Sequence, residues 1–174
     1  MNLVNLTSFV INTSMVVGLA TIAYGDIMNT RNEQALEAFQ EQHQCIAMNM
    51  YHEARSDSKL GMKAVGFVTL NRAYDDRYPD TPCDVVYQAR LDGNGNPRRN
   101  QCQFSWFCDG KSDKPKDDVM WEVAQGIAYQ VMEDYGKVED PTDGAIMYHA
   151  SYVNPYWSKD YVRTVRIDSH IFYK

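Results

Sequence analysis

The chain has 174 residues, 44% hydrophobic and 12% aromatic, a composition that suits one domain plus at most a short appendage and excludes a disordered protein. Its formal charge of −6 lacks the basic character that nucleic-acid binding normally needs, so no nucleic-acid partner is expected.

From the amino terminus, residues 1–25 carry no charged side chain, and Leu6 to Tyr24 are mostly apolar, diluted by Thr, Ser, Asn and Gly. That is about the length that crosses a bilayer, although no Lys or Arg precedes it as in a standard signal peptide. Residues 1–28 are therefore expected to act as a signal peptide or signal anchor, with membrane association through residues 6–24 and export to the periplasm or cell envelope. A buried or interfacial helix is the alternative. Four cysteines, at 45, 83, 102 and 108, form an even set without paired CxxC knuckles. They fit two disulfides in an oxidising compartment, with all three pairings open. Reduced thiols in a cytosolic protein are the alternative.

Asp26 to Gln44 is polar and helix-permissive, with Leu36, Phe39, Ile46 and Met50 near helical spacing, and predicts a helix ending about Arg55. Ser58 is a candidate N-cap for a second helix through Leu60, Ala64, Val68 and Asn71. Thr81-Pro82-Cys83-Asp84 combines a cap with Pro at the first helical position, predicting a short helix through Tyr87. Residues 89–101 are dominated by turn chemistry and are expected to form an exposed loop. Asp117 or Asp118 caps the clearest helix, with Val123, Ala124, Ile127, Val131 and Tyr135 on one face and Gly136 as its stop. Beyond Gly144, Ala145 to Ala150 and Tyr161 to Ile167 read as strands, with Ile171-Phe172-Tyr173 an extension. Helices first and a small antiparallel sheet in the C-terminal third define an α+β fold.

Glu53 is the candidate general acid or base. Among aromatic neighbours, desolvation raises a carboxyl's proton affinity, and glycosidic cleavage needs such a group to protonate the leaving oxygen. Unaided, a carboxylate at a helix end is ordinary solvated surface. His52, Glu53, His149 and His170 suggest a zinc site instead, but His52 and Glu53 are adjacent and point apart on a helix, and no HExxH motif follows. Ser105 lacks the flanking glycines of a nucleophile elbow. Phe104, Trp106, Tyr156 and Trp157 are candidate exposed stacking surfaces for sugar rings.

Met50-Tyr-His-Glu-Ala-Arg55, Gly61 to Arg72, Tyr78 to Gln88, Cys102 to Gly110, Gly144 to His149, Asn154 to Trp157 and His170 to Tyr173 occur in that order. Together they resemble the cell-wall hydrolase family of the spore-cortex-lytic (SleB) type, across about residues 45–173. The resemblance implies a lysozyme-like catalytic domain, over residues 29–174, acting on peptidoglycan glycan strands as a lytic transglycosylase or muramidase. It places the catalytic glutamate on Glu53, Gln103, Phe104 and Ser105 across the cleft, and Tyr148 and His149 on a bordering strand. It calls for no metal or cofactor, and a monomer is expected. A separate wall-binding domain, usual in the spore enzymes, is not evident, which suits a phage lysis enzyme or a periplasmic enzyme. A zinc-dependent cell-wall amidase or peptidase and a non-catalytic glycan-binding module are the competing readings.

Overall fold

The computed structural model describes residues 7–174, with side chains from residue 27 onward. The apolar stretch at residues 6–24 therefore lies outside the residues whose side chains are described. No helix is long and apolar enough to cross a membrane among the described residues. The chain divides into two units, one ending at Gln40 and the other comprising Glu41–Lys174.

Helix α1 runs from Thr7 to Ala54, longer than its sequence pattern suggested. Helix α2, Lys59–Ala73, begins where Ser58 accepts from the Gly61 amide at 3.2 Å. Helix α3, Pro82–Val86, is capped by Thr81 with Pro82 in its first turn. Residues 89–101 are not a structureless loop. Strands β1 (Ala89–Leu91) and β2 (Pro97–Cys102) pair antiparallel. The turn chemistry belongs only to the hairpin tip, where Asp92 accepts from the amides of Asn94 and Asn96. Both arms are largely solvent-exposed, so no apolar alternation marked them as strands. Helix α4, Asp118–Asp134, takes its cap from Asp117, which accepts from the Met120 amide at 3.0 Å.

The second sheet contains β3 (Met147–Ala150), β4 (Arg163–Ile167) and β5 (His170–Tyr173) in the order β3-β5-β4, all antiparallel. The segment read as an extension is thus the central strand. It is short, and although β4 turns directly into it, its other neighbour β3 is separated from it by the whole β4 segment, so local pattern did not reveal its rank.

Helix α2 is the hub. On one side Met62, Val65, Phe67 and Leu70 pack with Ile46 and Met50 of α1 and with Ile127, Ala128 and Val131 of α4. On the other, Ala64 and Val68 meet Ala145, Ile167 and Phe172 of the sheet region. Each large apolar side chain so buried contributes roughly 1.5–3 kcal/mol. Two glycines allow the close approach: a Cβ on Gly66 would sit 3.2 Å from Val131, and one on Gly61 would sit 2.6 Å from the Asp168 carboxylate.

Both disulfides are present, pairing Cys45 with Cys83 and Cys102 with Cys108. The first closes 38 residues and joins α1 to α3, which gives it about 4 kcal/mol on chain-entropy grounds. The second spans 6 residues and is worth about 2 kcal/mol on the same grounds.

Candidate active site

The last turn of α1 presents three consecutive side chains to three different environments. Tyr51, 3% exposed, accepts on its hydroxyl from the amides of Lys116 and Asp117 at 3.0 and 3.1 Å. His52 stacks on Trp106 with ring centroids 4.4 Å apart, its Nε2 2.9 Å from the Asp113 carbonyl. Glu53, partly buried, accepts on Oε2 from the Tyr148 hydroxyl at 3.2 Å.

Tyr148 is fixed from the sheet side. It lies in β3 opposite Phe172 of β5, and its ring touches those of Phe172 and His170 at centroid separations of 5.6 and 5.1 Å. Arg72, in the last turn of α2, completes the surroundings. Its Nε donates to the Ile146 carbonyl at 2.6 Å, and its guanidinium carbon lies 5.3 Å from the ring centres of both Tyr78 and Phe104. The side chain is 2% exposed, and its buried Nη1 has no hydrogen-bond partner.

Burial raises the Glu53 carboxyl above its ordinary pKa, while the Tyr148 hydrogen bond and the Arg72 charge pull it back. Burial and the neighbouring Glu53 push the Tyr148 phenol well above its usual value, so it remains a proton donor to the carboxylate. The result is one carboxyl with raised proton affinity, a fixed donor and a buried cation nearby. Such a group can release a proton to a substrate oxygen and then persist as an anion.

The remaining sequence candidates divide. Phe104 reaches the site through its contact with Arg72. Gln103 and Ser105 flank it in sequence and are exposed. His149 does not join Glu53. Alternation along β3 turns it to the other face, where its Nε2 lies 2.9 Å from the Tyr173 hydroxyl and its ring meets Trp157. The zinc ligands do not converge either: His52 is held by Asp113, His170 by Asp57 and His149 by Tyr173. Two of the four supposed stacking residues are core. Phe104 is 4% and Trp106 8% exposed, because the segment turns inward onto Cys45, Val85 and Val86. Tyr156 is 87% exposed, while Trp157 packs on Tyr161 and Tyr173.

Sequence reasoning missed Arg72, whose signal was a lone guanidinium following the apolar run of α2. Asp57, four residues beyond Glu53, makes its contacts elsewhere. Asp57 faces His170 Nδ1 at 2.9 Å and accepts from the Ser169 hydroxyl at 2.8 and 3.0 Å.

Helices enclosing a partly buried glutamate, with a small antiparallel sheet closing one side, define an α+β, lysozyme-like catalytic domain. The family model for cell wall hydrolases matches residues 56–173, and the chain belongs to that family. Glu53 lies just ahead of the matched segment. Among solved structures, the catalytic domain of the Bacillus cereus SleB protein is 26% identical with a TM-score of 0.59, covering 78% of this chain and 91% of that one. The catalytic domain of the germination-specific lytic transglycosylase SleB from Bacillus anthracis is 25% identical with a TM-score of 0.58, covering 78% and 95%. No curated protein matches the sequence significantly.

Proposed function

We propose that this cell wall hydrolase cleaves the glycan strands of peptidoglycan as a lytic transglycosylase, with Glu53 as its catalytic residue. The observation that carries the reading is a single carboxyl, raised by burial and held by Tyr148, while Asp57 and Asp84, which the sequence offers as second carboxylates only if the fold brings them close, are engaged elsewhere. Asp57 is paired with His170, and Asp84 accepts from the Thr81 hydroxyl at 2.6 Å in the α3 cap. Hydrolysis by inversion or retention ordinarily uses two carboxylates flanking the bond, whereas a transglycosylase can use one carboxyl twice.

In this mechanism protonated Glu53 gives its proton to the glycosidic oxygen as the C1–O bond breaks. The resulting carboxylate then takes the proton of the muramoyl 6-hydroxyl, whose oxygen closes on C1 to form the anhydro ring. Glu53 ends protonated, as it began, and water is not consumed. Arg72 and Tyr148 stabilise the intervening carboxylate. Gln103 and Ser105, exposed on either side of the buried Phe104, are assigned to the opposing side of the substrate cleft.

Mass spectrometry of fragments released from purified sacculi tests this. Anhydro-muramoyl ends are expected, and reducing ends would instead identify a muramidase. Glu53→Gln keeps the shape and removes the acid, so fragment release should cease; full activity in that variant would overturn the assignment. We further infer delivery to the cell envelope through residues 1–28, a reading supported by the two disulfides, which persist in oxidising compartments.

A further inference from the structure

A concavity opens on the same helix end, and Glu53 is not part of its lining. Its volume is about 290 Å³, and its floor is formed by Tyr51, His52 and Trp106. Four cations line it, Arg55, Lys111, Lys114 and Lys116, against two carboxylates, Asp109 and Asp113. This local excess of positive charge stands out in a chain of net charge −6. Lys111 is partly neutralised by Asp109 at 3.3 Å, whereas Arg55, Lys114 and Lys116 make no ion pair among the described residues.

The pocket is pre-formed. The loop carrying the lysines is tied to α1 by two amides on the Tyr51 hydroxyl and by His52 on the Asp113 carbonyl. The Cys102–Cys108 disulfide constrains its approach, and the Lys111 amide donates to Asp109 at 2.8 Å. A fixed loop spares a ligand much of the ordering cost of binding. An aromatic floor under a cationic rim suits an extended chain that brings apolar surface and a carboxylate together.

We propose that this pocket binds a carboxylate of the peptide substituent borne by the glycan strand, while Glu53 acts on the strand itself. The proposal rests on peptidoglycan being the substrate. Tyr51 and His52 line the pocket immediately before Glu53, so a substituent held there would set which glycosidic bond reaches the acid. The lysines therefore act in recognition of the strand and its register, and the chemistry stays with Glu53.

The test is co-sedimentation of the full chain, in a Glu53→Gln background, with insoluble peptidoglycan freed of attached phosphate polymers. Intact material is compared with material stripped of its peptides by an amidase. Lys114→Gln/Lys116→Gln is expected to weaken binding to intact peptidoglycan about fivefold to tenfold, an effect that shrinks at high salt. Binding to stripped strands should not change, and the parent should lose a similar factor when the peptides are removed. Lys137→Gln/Lys159→Gln changes the net charge equally at exposed sites elsewhere and should behave as the parent on both materials. Equal binding by the pocket variant and the parent on intact peptidoglycan would overturn the pocket assignment alone. So would an equal loss on stripped strands or in the control variant. Binding of the parent to neither material would overturn the peptidoglycan reading and the pocket with it.

Discussion

Glu53 and Asp57 are carboxylates one helical turn apart in sequence; Glu53 accepts from the Tyr148 hydroxyl, and Asp57 holds His170, whose ring meets that of Tyr148. Their surroundings make them different objects. Asp57 faces a histidine nitrogen and a hydroxyl, with both Asp57 and His170 side chains about nine-tenths buried. Glu53 receives one phenolic hydrogen bond and the more distant influence of Arg72. A carboxylate whose oxygens are satisfied is a structural tie; one that is desolvated with a single donor keeps its appetite for a proton. The difference between a carboxyl with raised proton affinity and a tie is made by partners, and by neither residue type nor burial alone.

The strongest way to break that contrast is Glu53→Gln. Activity should fall by about a thousandfold or more, as loss of a general acid entails. Stability responds in the opposite sense. Because burial raises its folded-state pKa, protonated Glu53 contributes stability at acid pH that is lost as pH rises through that raised value. Glu53→Gln should therefore melt at the same temperature or higher at neutral pH, with the gain disappearing toward acid pH. Calorimetry at both pH values checks the sign, and a lower neutral melting temperature would make Glu53 a structural residue.

Asp57→Asn should do the reverse. Removing one partner of a buried pair costs about 3 kcal/mol, to be read from denaturant unfolding, while kcat stays near that of the parent. Loss of kcat without loss of stability would move Asp57 into the chemistry and revive a two-carboxylate mechanism.

Tyr148→Phe sharpens the comparison with the smallest effect. It removes the donor but not the ring, so kcat/KM should drop about tenfold. Since that hydrogen bond lowers the Glu53 pKa, its loss should raise it further. The alkaline limb of the pH–rate profile, where the acid form disappears, should move to higher pH. An unmoved limb would mean that another group governs the titration.

How far the sequence announced this arrangement depended on the range of the interaction. The caps at Ser58, Thr81 and Asp117 were legible because an N-cap bonds an amide two or three residues away. The α4 face was legible through its period. Glu53 stood out only through the ordered motifs around it, and its partner could not be seen, because Tyr148 is 95 residues distant. Arg72 was hidden for the same reason: its acceptor, Ile146, comes from the approach to the sheet. The inward turn of Phe104 and Trp106 was not legible either, since an aromatic run between two cysteines suits a core or a sugar platform equally well. The arms of the β1–β2 hairpin escaped notice because exposed strands carry no alternation to detect.

The strand order β3-β5-β4 has a consequence for the timing of assembly. A nascent chain that has delivered β3 and β4 still lacks the three-stranded sheet, since neither strand pairs with the other and both wait for β5. Tyr148 gains Phe172 and His170 as packing partners only when that strand arrives. Chains released before His170–Tyr173 would therefore carry Glu53 without a positioned donor, so early termination yields products in which the Glu53–Tyr148 pair is unassembled.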